Sequence, residues 1–434
     1  MRMLKIMRLV CGVALLVGSA SVSHAQEVID PGLGATRIPE PQDAAPVPRK
    51  RRVPVDPYAA QGVAIGQGGI RLYPSIEIGT LITSNVARAA NASQADAGVE
   101  IRPTLGFASD WSRHSWTGSA TADWLQYKNK SDLSTLAGSA QTAFRLDVLR
   151  TTHADFAVGY TLSQTGTENS QVPGTAISPR RDRNFTTRAG ITHDFGGLET
   201  TLTGSLSRSS FDDVALAGGG TENNADRNYW APALALRGTL GQPGSPLKPF
   251  AEMAYVPRFH DQALDRNNQD RDSQGLLLAA GISFDQGPLW QGEVALTDQM
   301  RGYADPELGI VNALGLAGRV TWRPTALTTI DATSSVSLDE TETRNIGSAR
   351  TWRTGVNLTH ALRDNLQALA GTSFSIQDTG VSVDHTTTAT LGLNWQVNPN
   401  MAAGVTYEGT WFSPGTGSAS YNDQRLMTSI ILQK

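Results

Sequence analysis

The chain reads as an all-β protein, a transmembrane antiparallel β-barrel of about eighteen strands (sixteen being the alternative), carrying an extended N-terminal periplasmic arm. Three observations lead there. Apolar residues alternate with Gly or polar ones along most of the chain, as in "LGLNWQVNPNMAAGVTYEGTW" from Leu391. The 434 residues are polar on average, with a mean hydropathy of -0.25. The connections between alternating stretches are short and long in turn. Gly at 43 and abundant Thr, Ser and Asn suit many short strands and turns, whereas long runs of strong helix formers are missing.

The first 25 residues have the form of a secretory leader. Arg2, Lys5 and Arg8 are its basic region, Leu9 to Val17 its apolar core, and Ser23, His24 and Ala25 a small-x-small cleavage site. Its removal takes the formal charge from -4 to -7 and discards Cys11, the single cysteine, so no thiol or disulfide chemistry is expected afterwards. The charge is too mild to suggest nucleic acid. No later run of apolar residues is long enough for a membrane helix. Residues 26–68 form the arm, with seven prolines between Pro31 and Pro57 and the basic run Arg49, Lys50, Arg51 and Arg52. Such a segment packs poorly and reads as a disordered linker in the periplasm, or as an arm that meets a partner there.

Residues 69–434 are the barrel. Strand centres fall near residues 76, 102, 120, 142, 158, 188, 204, 234, 253, 279, 295, 316, 333, 354, 371, 390, 406 and 427. Each strand with its turn takes roughly 20 residues, which suits strands of ~10 residues tilted through a bilayer with some length above it. Short turns are expected at "DWSR" from Asp110, "LRTT" from Leu149, "DFGG" from Asp194, "GQPGSP" from Gly241, "DQGP" from Asp285, "RPT" from Arg323, "LRDN" from Leu362 and "NPN" from Asn398. Longer loops start at Thr165, Asp212, His260 and Phe412. Short periplasmic turns with long outer loops are the habit of outer-membrane barrels. Pro103 and Pro232 fall inside strands, where each removes a ladder hydrogen bond, so bulges or register shifts are expected there. The strand near Ser334 is weakly apolar.

Trp116, Trp124, Trp290, Trp322, Trp352, Trp395, Tyr407 and Trp411 lie near strand ends, where aromatic rings meet lipid headgroups, so the apolar face is expected to touch lipid. The opposite face then lines a lumen. Parity puts Arg71, Arg102, Arg145, Arg188, Arg237, Arg319, Arg353 and Arg425 on it, with Glu77, Glu100, Asp123, Asp147, Glu252, Glu293, Asp331 and Glu408. An Arg at the lipid midplane would cost roughly 2 to 4 kcal/mol, which keeps such residues inside. This mixed wall either pairs with itself and stiffens the barrel, or guides an anionic or hydroxyl-rich polymer.

No catalytic constellation emerges, so no enzyme activity and no cofactor are expected. His114, His153, His193, His260, His360 and His385 have no metal spacing, and no GxSxG elbow or Gly-rich loop leads into a helix. Asp265, Asp270 and Asp272 offer oxygens to Ca²⁺, but their spacing matches no known calcium loop and a solvated loop is the simpler reading.

The opening "GGIRLYPSIEIGTLITSNV" from Gly68 and the closing "TYEGTWFSPGTGSASYNDQRLMTSIILQK" give residues 68–434 a resemblance to the putative outer-membrane β-barrel porin family of proteobacteria, members of which often accompany surface polysaccharide production. The resemblance implies outer-membrane lipid, the barrel-assembly machinery and periplasmic polysaccharide-export components as partners. It also implies a pore, with an exit channel for an exopolysaccharide as the leading expectation. A diffusion porin and a plugged surface or adhesion barrel are the alternatives. Such barrels usually finish on an aromatic residue, whereas this chain finishes on Leu432, Gln433 and Lys434.

Overall fold

The fold is described from a computed structural model for residues 58–434, apart from 59, 67, 91–92, 168, 170, 174, 342 and 416–419. The expected leader and nearly all of the arm lie outside these residues. Eighteen long strands form the wall: β1 Ile70–Thr83, β2 Asp96–Ser109, β3 Ser115–Tyr127, β4 Thr135–Leu149, β5 Thr152–Thr165, β6 Arg180–Asp194, β7 Leu198–Phe211, β8 Tyr229–Leu240, β9 Leu247–Tyr255, β10 Ser273–Asp285, β11 Trp290–Tyr303, β12 Ile310–Thr325, β13 Thr328–Glu340, β14 Ser348–Arg363, β15 Leu366–Asp378, β16 Val383–Asn398, β17 Met401–Ser413 and β18 Tyr421–Gln433. Every expected strand centre falls inside one of them. Each strand pairs antiparallel with the next, and β1 closes the ring on β18 from Ser75↔Gln433 to Thr83↔Arg425. Among the described residues no helix is long and apolar enough to cross a membrane.

Local chemistry explains the turns. At Gly196 (φ 85°) and Gly197 (φ 135°) the backbone is left-handed, and the Asp194 carboxylate accepts from the N–H of Gly196 at 2.8 Å. Asn398 Oδ1 likewise accepts from Asn400 N–H at 2.8 Å. "RPT" proves to be strand: the turn is Ala326 and Leu327, and a register shift between Trp322 and Thr325 absorbs the extra length. The last described part of the expected arm is also ordered, since Val63–Ile65 pairs with Ile70–Leu72.

The prolines behave otherwise than expected. Pro103 pairs in register with Ile76, and on its other side the ladder to β3 opens between Ile101↔Trp124 and Thr104↔Thr121 and resumes with register unchanged. Pro232 lies where β8 leaves its outer partner, between Trp230↔Phe259 and Leu234↔Tyr255, again without a shift. A missing N–H deletes a rung without adding a residue, so register survives. The actual shifts, at Asp147/Leu149, Trp322/Thr325, Ala361/Arg363 and Gln396/Asn398, all adjoin short turns.

Side chains sort by parity. Ile78, Ile82, Leu234, Leu236, Leu296, Leu314, Leu316 and Leu391 point outward and stay about half exposed. A band of large apolar side chains this extensive has no place on a water-soluble monomer and suits a lipid surround.

Candidate functional site: the lumen wall and outer mouth

The inward face carries charge in clusters that register assembles. Arg102 on β2 reaches Glu77 on β1 (3.0 Å), Asp123 on β3 (2.9 Å) and its own strand's Glu100. Arg237 on β8 bonds Glu293 on β11 (2.8 Å), lies 3.4 Å from Glu252 on β9 and caps the Phe250 ring at 3.6 Å. Arg145 stands 3.5 Å from Asp147 and 4.0 Å from Asp155, and Arg425 bonds Asp423 at 2.7 Å beside Glu408, its cross-strand neighbour. Arg353 lies 3.4 Å from Asp339, and Asp331 accepts from Thr321 at 2.5 Å. Arg188 is buried on the inward face of β6, and Arg319 is exposed on that of β12, opposite Glu293. Arg71, near the turn end, donates to Gln61 O. Most of these guanidinium groups are thus already occupied by carboxylates. The wall is polar and largely self-paired, and among the described residues it carries no row of free cations.

Indole rings form two levels outside. Trp116, Trp290, Trp322 and Trp395 stand near the turn end, where Trp290 and Trp322 stack at 5.1 Å, while Trp124, Trp352 and Trp411 stand near the loop end, as does Tyr407 one turn of pleat below. Trp352 differs from the rest in its partner: its Nε1 donates across the wall to a backbone carbonyl, Leu314 O, at 3.2 Å. By the habit of outer-membrane barrels the loop end faces outward.

The feature that the sequence reading missed lies at that outer mouth. The outer half of β13 leaves the wall. Its rungs to β12 stop at Gly318↔Ser334, yet Ser335 to Glu340 stay paired with β14. Val336, Ser337, Leu338, Asp339 and Glu340 are all buried. The segment runs inside as a crossbar. Gln299 of β11 donates to Val336 O at 2.8 Å, Arg258 donates to Leu338 O at 3.1 Å and pairs with the Glu340 carboxylate, and Gln171, in the β5–β6 loop, donates to Glu340 O at 3.1 Å. Gln171 springs from about eight strands away round the ring. Thr165 and Arg180 from that side line one cleft with Asp339, Arg353 and Gln377 from the other, so opposite walls meet across the mouth.

Loops extend the closure. Arg227 donates to Gln171 Oε1 at 2.8 Å and lies 4.7 Å from the Phe211 ring, over which Arg180 also sits. Arg266 binds Glu222 at 2.6 Å and Asp226 at 2.9 Å; Arg271 binds Asp265 at 2.6 Å and the carbonyls of Thr343 and Ile346. Burial alone would raise the Asp226 and Asp265 carboxyls, but hydrogen bonds from these Arg side chains and from backbone N–H groups hold both below the usual range. Asp265 is therefore engaged by protein donors, and no cluster of three or more metal ligands occurs among the described residues. His260 is buried in this cap 3.4 Å from Asp272, while His193 and His360 bond wall threonines near the turn end. The weak apolarity near Ser334 was the signal for the crossbar: a strand half that leaves the lipid face has no need of an apolar stripe.

Residues 56–434 match the family model described as "Putative beta-barrel porin 2". No curated protein matches the chain. Among solved structures, a ferric enterobactin receptor (PfeA) mutant from Pseudomonas aeruginosa is similar with a TM-score of 0.41 at 9% identity, over 84% of this chain and 80% of that one. The outer membrane protein OpdK from the same organism has a TM-score of 0.41 at 11% identity, over 84% and 99%. The siderophore receptor PirA, also from that organism, has a TM-score of 0.37 at 11% identity, over 84% and 80%.

Proposed function

The chain belongs to the family described as "Putative beta-barrel porin 2", and from that premise we propose that it is an outer-membrane conduit for a polar, hydroxyl-rich substrate, gated at its outer mouth by the crossbar. The inward wall carries this reading. Clusters such as Arg102 with Glu77, Glu100 and Asp123 give the inward face a charged, hydrogen-bonding lining of the kind that suits a polar route through the ring. A ring of this size leaves an aqueous bore unless something folds inward, and Val336 to Glu340 do so at one end alone.

Alternating donors and acceptors suit a neutral or weakly charged saccharide better than a strongly anionic polymer, since few guanidinium groups remain free to bind phosphate or sulfate. A secreted polysaccharide is thus the favoured substrate. The arm would then face its periplasmic supply, and Arg102, Arg145, Asp147, Arg188, Arg237, Glu252, Glu293, Arg319, Asp331, Arg353 and Arg425 would line the route. The cap favours a second reading, a plugged barrel whose loops bind at the surface. Planar-bilayer recording separates the two. Intermittent openings support the conduit, whereas silence from both the wild type and a variant with the crossbar released leaves the plugged barrel. For the substrate, a deletion strain should lose polysaccharide outside the cell and accumulate it in the periplasm. Unchanged amounts would refute export of that polymer.

A further inference from the structure

Where β13 turns inward, the wall is lapped instead of laddered. Among the described residues no strand pairs with the β13-facing edge of β12 from Ile310 to Ala317, while its other edge is fully paired with β11. The carbonyls on the open edge are met by side chains: Arg350 Nε donates to Asn312 O at 2.7 Å, Trp352 Nε1 to Leu314 O, and Ser334 Oγ to Leu316 O at 2.9 Å. Three such bonds stand where neighbouring strands have a continuous ladder. Outside, Leu314 and Leu316 are 57% and 58% exposed on the apolar band. Trp322 marks the turn-end level, and a crossing of ~10 residues from it puts this stretch in the outer half of the bilayer. Inside, Val336 and Leu338 of the crossbar pack on Val311 and Ala313, which face the lumen from β12. An apolar surface there is out of keeping with the charged wall elsewhere.

A second, independent oddity sits at the top of this seam. Arg301 is 4% exposed; it donates to Ser273 Oγ at 2.9 Å, and its Nε has no partner among the described residues. Beside it Arg258 takes the Glu340 carboxylate, the only one that pairs with either guanidinium among the described residues. Two guanidinium groups against one carboxylate leave the cluster cationic and dry, which is expensive unless an anion joins it.

We propose that the β12–β13 lap joint is a lateral port, through which an amphiphile with an acyl tail and an anionic head enters from the outer leaflet. The tail lies along Val311, Ala313, Val336 and Leu338, and the head meets Arg301 and Arg258. The port rests on the outer-membrane conduit reading and adds a second route with a different substrate class. Opening there breaks side-chain bonds and the apolar contact between β12 and the crossbar, and no ladder rungs.

The test uses the full-length protein in liposomes containing a photoactivatable diazirine hexadecanoic acid, with labelled residues mapped by mass spectrometry. Wild type is expected to be labelled at the inward-facing Val311, Ala313, Val336 and Leu338 as well as at outward Leu314 and Leu316. Labels confined to outward residues would overturn the port, and this needs no variant. An added Cβ at Gly315 would lie 3.0 Å from that of Val336, about half an ångström inside the Cβ spacing of a disulfide, so with a small parting of the two strands Gly315→Cys and Val336→Cys can pin the joint. Oxidation should remove the inward labels about tenfold, spare the outward ones, and be reversed by reductant. Inward labelling that survives oxidation would also overturn the port. Arg301→Gln should reduce inward labelling several-fold, and an unchanged map would remove the anionic head from the proposal. Ion conductance keeps the two readings apart: current without inward labels refutes the port alone, and absence of current both from these preparations and from a variant with the crossbar released refutes the conduit.

Discussion

Removing Arg258 should release the crossbar. Arg258 is 2% exposed and Glu340 6%, and their ion pair, with the bond from Arg258 to Leu338 O, is the strongest tie between the crossbar and the β9–β10 loop. Arg258→Ala leaves a buried carboxylate without its partner, which costs about 3 kcal/mol at the low end for such pairs. The bonds from Gln171 and Gln299 remain, at about 1 kcal/mol each. If closed and open crossbar positions interconvert, 3 kcal/mol moves their ratio by about 150-fold toward open. The wall should survive, because β13 keeps its rungs to β14 and its turn-end rungs to β12. Single-channel recording gives the open probability, and heat-modifiable gel mobility reports the intact barrel. Arg258→Ala with Glu340→Ala should return part of the closure, since no buried carboxylate is then left without its partner. An open probability within threefold of wild type in an intact Arg258→Ala barrel would refute the reasoning.

Three further outcomes are expected. Arg102→Ala leaves Glu77, Glu100 and Asp123 facing one another on the lumen wall and should destabilise the folded barrel by about 3 kcal/mol, read as a lower urea midpoint, whereas Asp123→Asn should cost clearly less. Leu296→Arg, on the outward face between the two indole levels, should cost roughly 2 to 4 kcal/mol, against about 0.5 kcal/mol for Gln141→Arg on the exposed lumen face of β4; equal costs would mean that the faces are misassigned. The loop cap should resist mild acid. Asp226 and Asp265 have carboxyl pKa values lowered from the usual 3.8, so their contribution to the closed cap is present above that value and is lost only as pH falls through the lower folded values. Protease cleavage in the 256–272 loop should therefore stay slow near pH 4.5 and rise only below about pH 3.5; a rise centred near pH 5 would count against it.

Much of the architecture was legible because its causes are local. Alternation at Leu391, Leu393 and Trp395 against Val405 and Tyr407 needs only the two-residue period of a strand, and "DFGG" needs only an acceptor side chain before two permissive residues. Inward parity for Arg102 or Glu252 followed from the same period. Their partners did not, because Arg102 meets Glu77 and Asp123 only once turn lengths have set the register of three strands. Trp352 was read as one more interfacial ring. It bridges to Leu314 because the intervening strand half has moved away.

The residues alone determine a barrel of about eighteen strands, with sixteen as the alternative, their order, and an apolar and a polar face, since each depends on neighbours within a few positions. The route of Val336 to Glu340 across the mouth was decided by groups on distant strands. Gln171, Arg258 and Gln299 are brought together only by closure of the ring, and their hydrogen bonds with the apolar contact to Val311 and Ala313 outweigh a few more rungs to β12. That balance is non-local, and no period in the chain encodes it.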